Sequence, residues 1–127
     1  VYKRQVSRNN SYVYEKDSQV LAYAYLSPDY EPTYASVMKY MKGKSPLTVH
    51  TFCVDKDMAG SGTGSVFFKE IKDFARQNNK DSLRIDTHED NFRMRGLIEK
   101  MGFAYKGPIY IDDNGKIMPR LAYELIL

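Results

Sequence analysis

The clearest pattern of apolar and polar positions lies in the middle of the chain. An apolar run rich in β-branched residues, Leu47–Val54, predicts a buried strand. The glycine-rich stretch Gly60–Ser65 then predicts a tight bend. From Thr63 onward, apolar side chains recur at the spacing of one helix face, namely at Phe67, Ile71, Phe74 and Ala75. The pattern therefore predicts a strand, a glycine bend and an amphipathic helix that ends near Asn78.

Further elements precede this unit. Alternating apolar positions predict a pair of strands over Tyr12–Glu15 and Gln19–Leu26. A short helix is predicted over Thr33–Lys42, with Thr33 as its cap. Residues Val1–Asn10 are polar and basic without a usable period. We expect them to form a frayed end or the remnant of a longer region.

The second half of the chain continues the alternation of strands and helices. Ser82–Thr87 predicts a strand, and Gly102 lies where a left-handed cap would end the helix that follows. The buried stripe of that helix is predicted at Met94, Leu97, Ile98 and Met101. The last two strands are predicted over Phe103–Ile111 and Leu121–Leu127, and a turn is predicted between them at Asp112–Gly115. Without a linker or a repeat, residues 1–127 are predicted to form one α/β (α+β) domain with a mixed sheet and flanking helices.

Composition narrows the class of protein. The chain has 127 residues, of which 43% are hydrophobic and 28% charged, as expected of one globular domain. No apolar run is long enough to span a membrane, no signal peptide is visible, and the single Cys53 cannot form an internal disulfide, so we expect a cytoplasmic protein without a membrane partner. Acidic and basic residues are interleaved at a net charge of +3, which argues against nucleic acid. One cysteine and two distant histidines predict no metal site.

The glycine bend is the strongest candidate for a ligand site. Between a strand and a helix, such a bend presents unpaired backbone N–H groups to a phosphate. A Walker A loop is excluded because no lysine follows Gly64, and a dinucleotide fingerprint is incomplete because Ser65 stands at its last glycine. A tight turn without a ligand is the alternative that these residues alone leave open.

Two phrases of the sequence resemble the GNAT superfamily of acetyl-CoA-dependent N-acetyltransferases. The first, Ala59-Gly60-Ser61-Gly62-Thr63-Gly64, is similar to the pyrophosphate loop of that family, although Ala59 stands at or next to the usual Arg or Gln. The second phrase consists of Asn91-Phe92-Arg93-Met94 and the helix end Leu97–Phe103. The resemblance covers Tyr12–Leu127. The helical region between the first two strands of such domains is expected to be shortened or missing, as is the first strand.

The resemblance implies acetyl-CoA as co-substrate and transfer of its acetyl (or another acyl) group to a primary amine of a small molecule or protein. The amine would attack the thioester directly, and no metal would take part. The strands at His50–Val54 and Ser82–Thr87 are expected to splay apart and to pair with the pantetheine amides. The residues implied in coenzyme A binding are Phe52, Cys53, Val54, Ala59, Gly60, Ser61, Gly62, Thr63, Gly64, Ser65 and Asn91. A homodimer is left open as a further partnership.

The catalytic residues follow less directly from the resemblance. Ile98 stands where many GNAT enzymes have a tyrosine general acid. Tyr105 is the nearest substitute along the chain, and an aromatic residue of the core or the cleft wall is the alternative. His50 is expected to share a face with Phe52, and it is either a base or a buried, hydrogen-bonded strand histidine.

Three further polar residues are candidates near the reacting groups. His88 lies at the carboxyl end of a strand, where α/β sheets place ligands. Asp86 would either accept the substrate ammonium or pair with Arg84. Asn91 would hold the pantetheine arm or a bound water near the thioester. Because Ile98 cannot donate a proton, a non-catalytic domain that binds acyl-CoA as a sensor or interaction module is the alternative to an enzyme.

Overall fold

The computed structural model describes residues 2–5 and 10–127. The described chain contains seven strands and two α-helices. The strands are β1 (Tyr2–Gln5), β2 (Ser11–Lys16), β3 (Gln19–Ser27), β4 (Pro46–Val54), β5 (Ser82–His88), β6 (Ala104–Asp113) and β7 (Lys116–Ile126). The helices are α1 (Thr63–Gln77) and α2 (Phe92–Lys100), and two 3-10 helices cover Pro32–Tyr40 and Lys56–Met58. The predicted elements are thus present, and the predicted mixed sheet with flanking helices is confirmed.

All seven strands form one sheet in the order β1-β2-β3-β4-β5-β7-β6. Neighbouring strands are antiparallel except for β4 and β5, which are parallel. This parallel pairing runs only from Pro46 opposite Ser82 to Val49 opposite Ile85. Beyond those positions the two strands part, which confirms the expected separation. The backbone groups that follow Val49 and Ile85 on the facing edges are therefore not paired with each other.

A bulge in β4 lies next to this separation. Leu26 of β3 pairs with Val49, whereas the next pair joins Tyr25 to Thr51, so that the register skips His50. An extra residue of this kind bends its strand and shifts the side-chain alternation by one position. Phe52 therefore packs on the same side of the sheet as Val49.

The two faces of the sheet carry different layers. One face is covered by α1 and α2, and its core includes Phe67, Phe68, Ile71 and Ile98, all fully buried. The other face is covered by the 3-10 helix Pro32–Tyr40. A smaller cluster packs there, made of Tyr34, Val37, Ile109 and Ala122.

The helix predicted over Thr33–Lys42 is a 3-10 helix, and its cap is Glu31 rather than Thr33. The carboxylate of Glu31 accepts hydrogen bonds from the Thr33 amide at 3.2 Å and the Thr33 hydroxyl at 2.9 Å. Pro32 supplies no N–H group at the helix start, so the first amide that needs an acceptor belongs to Thr33. The sequence pattern identified the element but not its cap.

The prediction of a frayed end at the amino terminus was wrong for the first described strand. Tyr2–Gln5 forms strand β1 and pairs antiparallel with β2, so this part of Val1–Asn10 is not a frayed end. Residues 1 and 6–9 of that stretch lie outside the described residues. The prediction of a shortened or missing helical region between the first two strands also falls on these residues and so lies outside the described part of the chain. None of the described helices is both long and apolar enough to cross a bilayer.

A buried ion pair fixes the segment that leads into β4. Glu124 accepts a hydrogen bond from Arg84 Nε at 3.0 Å and further bonds from the amides of Lys42 at 2.7 Å and Gly43 at 3.1 Å. Arg84 Nη2 in turn donates to the Gly43 carbonyl at 2.9 Å. These contacts satisfy two buried charges and hold the chain before β4 against the centre of the sheet.

Candidate functional site

A cavity of about 500 Å³ lies where β4 ends and α1 begins. Its walls come from the end of β4, the glycine bend, the start of α1 and one face of α2. The residues predicted for coenzyme A that line it are Phe52, Val54, Ala59, Gly60, Gly62, Thr63, Gly64, Ser65 and Asn91. We call this space the bend cavity. The fold thus brings most of the predicted binding residues around one concave site.

The glycine bend is shaped by two residues in the left-handed region. Gly60 has φ = 78° and Gly62 has φ = 87°, values that a residue with a Cβ adopts only with strain. Gly62 is the cap residue of α1, and no side chain caps the helix. The bend is held by Ser61, whose hydroxyl donates to the Met58 carbonyl and contacts the Thr63 hydroxyl at 2.7 Å. Ser61 supports the bend without lining the cavity.

The amides at this helix start are free to bind a ligand. Among the described residues, the N–H groups of Gly60, Gly62, Gly64 and Ser65 make no hydrogen bond within the chain. A helix start of this kind combines unpaired donors with the positive end of the helix dipole. The bend cavity therefore has the chemistry of an anion site.

Basic side chains that the sequence analysis did not select also line the bend cavity. Arg93 and Lys100 project from α2, and Lys56 lies just after β4. On α2 the lining residues Arg93, Gly96, Leu97 and Lys100 follow the spacing of one helix face. That spacing was visible in the sequence and would have pointed to the two cations. Together with the free amides, Lys56, Arg93 and Lys100 make one wall of the bend cavity electropositive.

A second cavity, of about 210 Å³, opens at the point where β4 and β5 part. Phe52, Asn91 and Met94 line both cavities, so the two spaces meet at these side chains. We call the second space the splay cavity. Asn91 caps α2 with its Oδ1, which accepts the Met94 amide at 3.2 Å. This bond fixes the side chain at the junction of the two cavities.

His50 lines the splay cavity from the bulge in β4. Its Nε2 lies 3.8 Å from Oε2 of Glu31, and its ring lies 5.8 Å from the ring of Tyr25. The histidine is exposed and is not a buried strand histidine. The expectation that His50 shares a face with Phe52 was wrong, because the bulge places the two side chains on opposite faces. Phe52 stacks on Phe68 instead, with ring centroids 4.2 Å apart.

Asp86 also lines the splay cavity, but its carboxylate is already engaged. Oδ1 accepts the Tyr34 hydroxyl at 2.7 Å, and Oδ2 accepts Nε of Arg120. Burial and the nearby Asp86 charge raise the pKa of Tyr34 far above its ordinary value of 10.0. The alternative of an Asp86–Arg84 pair was wrong, since Arg84 pairs with Glu124.

Besides Ser61, three predicted site residues lie outside both cavities. Cys53 is exposed on the strand face opposite Phe52. Tyr105 lies on β6 beside a separate surface pocket, where burial and the neighbouring Tyr123 raise its pKa. His88 accepts the Asp90 amide at 3.1 Å through Nδ1. The structure therefore does not bring Tyr105 or His88 to the place where the two cavities meet.

The position that often carries a tyrosine in GNAT enzymes is occupied by a core residue. Ile98 is fully buried between α2 and the sheet. No tyrosine lines either the bend cavity or the splay cavity in the described part of the chain. The described residues also contain no group of three or more His, Cys, Asp or Glu side chains that could hold a metal ion.

The fold and the site together define an α/β domain with a cavity whose free amides and cations suit an anion. A sequence profile described as the acetyltransferase (GNAT) family matches residues 2–103. The chain therefore belongs to the acetyltransferase (GNAT) family. No match was found among curated proteins.

Solved structures place the chain in the same fold. An acetyltransferase of the GNAT family from Streptococcus agalactiae 2603 is 25% identical with a TM-score of 0.74, and the match covers 93% of this chain and 65% of that protein. This chain thus spans less than two thirds of that relative. A Bacillus subtilis acetyltransferase solved in complex with CoA is 14% identical with a TM-score of 0.69, covering 92% of this chain and 76% of that one. A ribosomal-protein-alanine N-acetyltransferase from Brucella melitensis is 21% identical with a TM-score of 0.70, covering 92% and 68%.

Proposed function

We propose that this chain transfers an acetyl group from acetyl-CoA to a primary amine by direct attack of the amine on the thioester. One observation carries the proposal. The bend cavity, with its free amides, joins the splay cavity at Phe52, Asn91 and Met94. A ligand whose diphosphate rests on the bend would therefore extend its acyl end toward a second space that is open to an acceptor.

The residues present fit coenzyme A along its length. The amides of Gly60, Gly62, Gly64 and Ser65 suit a diphosphate, and the cations that line the bend cavity add positive charge. Further along, the edges of β4 and β5 expose unpaired backbone groups after Val49 and Ile85. Extended amides such as those of pantetheine pair with such edges as an added strand would.

In the proposed acetyl transfer, the protein positions the two substrates, accepts a proton and stabilises the leaving thiolate. The amine nitrogen forms a bond to the thioester carbon, and the carbon–sulfur bond breaks to release a thiolate. His50 lines the splay cavity and would accept the proton that the amine loses, passing it on to water. Backbone N–H groups at the strand ends would stabilise the thiolate until water protonates it.

The test of this proposal is the substitution Gly62→Glu. A carboxylate at this position would occupy the anion site and repel the diphosphate, so calorimetry is expected to show loss of CoA binding. Gly115→Glu is the matched control, because Gly115 also has a positive φ, of 83°, with open space around it, but lies in the β6–β7 turn. Equal CoA affinity in both variants and the wild type would overturn the proposed cradle.

A second function is favoured by one observation. Because no tyrosine lines either cavity in the described chain, a general acid of that type is not placed near the thioester. The alternative is a non-catalytic domain that binds acyl-CoA as a sensor or interaction module. Thiol release from acetyl-CoA, measured across a panel of primary amines, separates the two functions. Turnover with any amine supports the enzyme, whereas tight binding without turnover on all amines supports the sensor.

A further inference from the structure

The splay cavity contains one anionic and one cationic side chain, and they are not equally available. Both carboxylate oxygens of Asp86 accept hydrogen bonds from side chains of the protein, one from Tyr34 and one from Arg120. A substrate ammonium would have to displace one of these donors. Asp86 is therefore a poor receptor for a cationic amine.

Arg120, in contrast to Asp86, still has N–H groups available for a ligand. Its Nε donates to Oδ2 of Asp86, and its Nη2 donates to the Asp86 carbonyl at 3.2 Å. Its Nη1 makes no hydrogen bond to any described residue, and 33% of the side chain is accessible. A guanidinium that is already held in place loses little entropy when it binds a planar anion through its remaining N–H groups. Arg120 is thus a preorganised receptor for a carboxylate.

The other wall of the cavity suits the amine. His50 faces the space with Glu31 behind it, and Oε1 of Glu31 is fixed by the Thr33 amide and hydroxyl. The cavity volume of about 210 Å³ is small. A molecule that reaches both His50 and Arg120 within this space must carry its amine and its anionic group close together.

We infer that the acceptor is a small amine that also carries a carboxylate, of the α-amino acid type, with the carboxylate bound by Arg120. This inference rests on the proposed function, and it names the acceptor class for the same site. Arg120 acts as a specificity-determining residue, since it binds a part of the substrate that does not react.

Binding to the full chain saturated with CoA tests the inference without requiring turnover. The probes are the proteinogenic L-α-amino acids and their primary amides, each pair differing only in the carboxylate. Calorimetry is expected to show at least one amino acid that binds about tenfold or more tightly than its amide. Equal binding within every pair, or no binding by any probe, would overturn the inference.

Variants assign that preference to one side chain. Arg120→Gln is expected to reduce the amino acid to the affinity of its amide, while Arg120→Lys keeps part of the preference. Arg76→Gln, in an exposed pair on α1, is the matched control and should keep the full preference. An unchanged preference in Arg120→Gln would contradict the assignment.

The CoA titration that precedes the probes separates this inference from the proposed function. Failure to bind CoA would overturn both. Normal CoA binding with no preference for the carboxylate would overturn only the acceptor class. Thermal unfolding of each variant shows whether a loss of binding reflects a loss of the fold.

Discussion

Single residues in this protein act through backbone donors as much as through side chains. Asp81 accepts the Lys44 amide at 2.8 Å and the Ser45 amide at 2.9 Å, and so holds the chain that enters β4 beside the start of β5. The Lys44 N–H in particular lowers the pKa of Asp81 below its ordinary value of 3.8. The folded state therefore favours the ionised carboxylate.

The sign of this shift fixes a pH dependence. Because the pKa is lower in the folded state, the stabilisation is complete above about pH 4 and is lost as the pH falls through the folded pKa. Asp81→Asn is expected to lower the free energy of unfolding by about 1 kcal/mol at pH 7 and by progressively less below pH 4. Urea unfolding of the wild type and the variant, measured from pH 2.5 to pH 7 in steps of about 0.5 pH units, gives this difference in the free energy of unfolding at each pH. Asp73→Asn, on the exposed side of α1, is the control, and a deficit independent of pH would contradict the account.

At this scale the sequence predicted residue types better than partners. The glycines and Asn91 were selected through their resemblance to the GNAT motifs, and they line the bend cavity. The partner of Asp86 was not predictable, because Arg120 reaches it only through the pairing of β5 with β7. Partners that depend on strand order lie far apart in the chain, and local pattern does not encode them.

Among the elements, β4 determines the shape of the site. Its bulge at His50 turns Phe52 toward the helices and His50 toward the opposite face. The sequence did not reveal the bulge, because an apolar run fits either register equally well. The sequence also did not show that Pro32–Tyr40 is a 3-10 helix rather than an α-helix. The spacing of apolar residues does not distinguish these two kinds of helix over so short a segment.

Deletion of His50 tests the role of the bulge. Removing the extra residue restores a regular alternation that still directs Phe52 and Val54 to the helices, so the protein is expected to fold. A straighter β4 should stay paired with β5 for longer and weaken CoA binding by about tenfold or more. His50→Ala keeps the bulge and should bind CoA normally. Calorimetry on both variants decides the matter, and equal affinity would show that the bulge does not shape the cleft.

In the molecule as a whole, the cleft formed by the bend and splay cavities lies between two parts of the sheet. Strands β1 to β4 come from residues 2–54, and strands β5 to β7 come from residues 82–126. The predicted alternation of elements gave the class of fold, but the insertion of β7 between β5 and β6 was not predicted. That order depends on the long-range pairing of β7 with β5, which places β7 between β5 and β6.

CoA is expected to stabilise the whole domain, because it would contact both parts of the sheet. At a concentration about 100 times its dissociation constant, a ligand that binds only the folded state adds about 2.7 kcal/mol to the free energy of unfolding. Urea unfolding with and without CoA measures this gain. Gly62→Glu should show no gain, and a wild type without any gain would contradict binding to the folded state.

The short parallel contact between β4 and β5 has a consequence for how the chain can be divided. Every strand on one side of this contact precedes Asn78 in the sequence, and every strand on the other side follows it. The link between the two groups passes through an exposed turn at Asn78 and Asn79. A break in that turn would leave two fragments, each with a complete antiparallel sub-sheet, whose reassembly would rebuild the cleft along the line where they join.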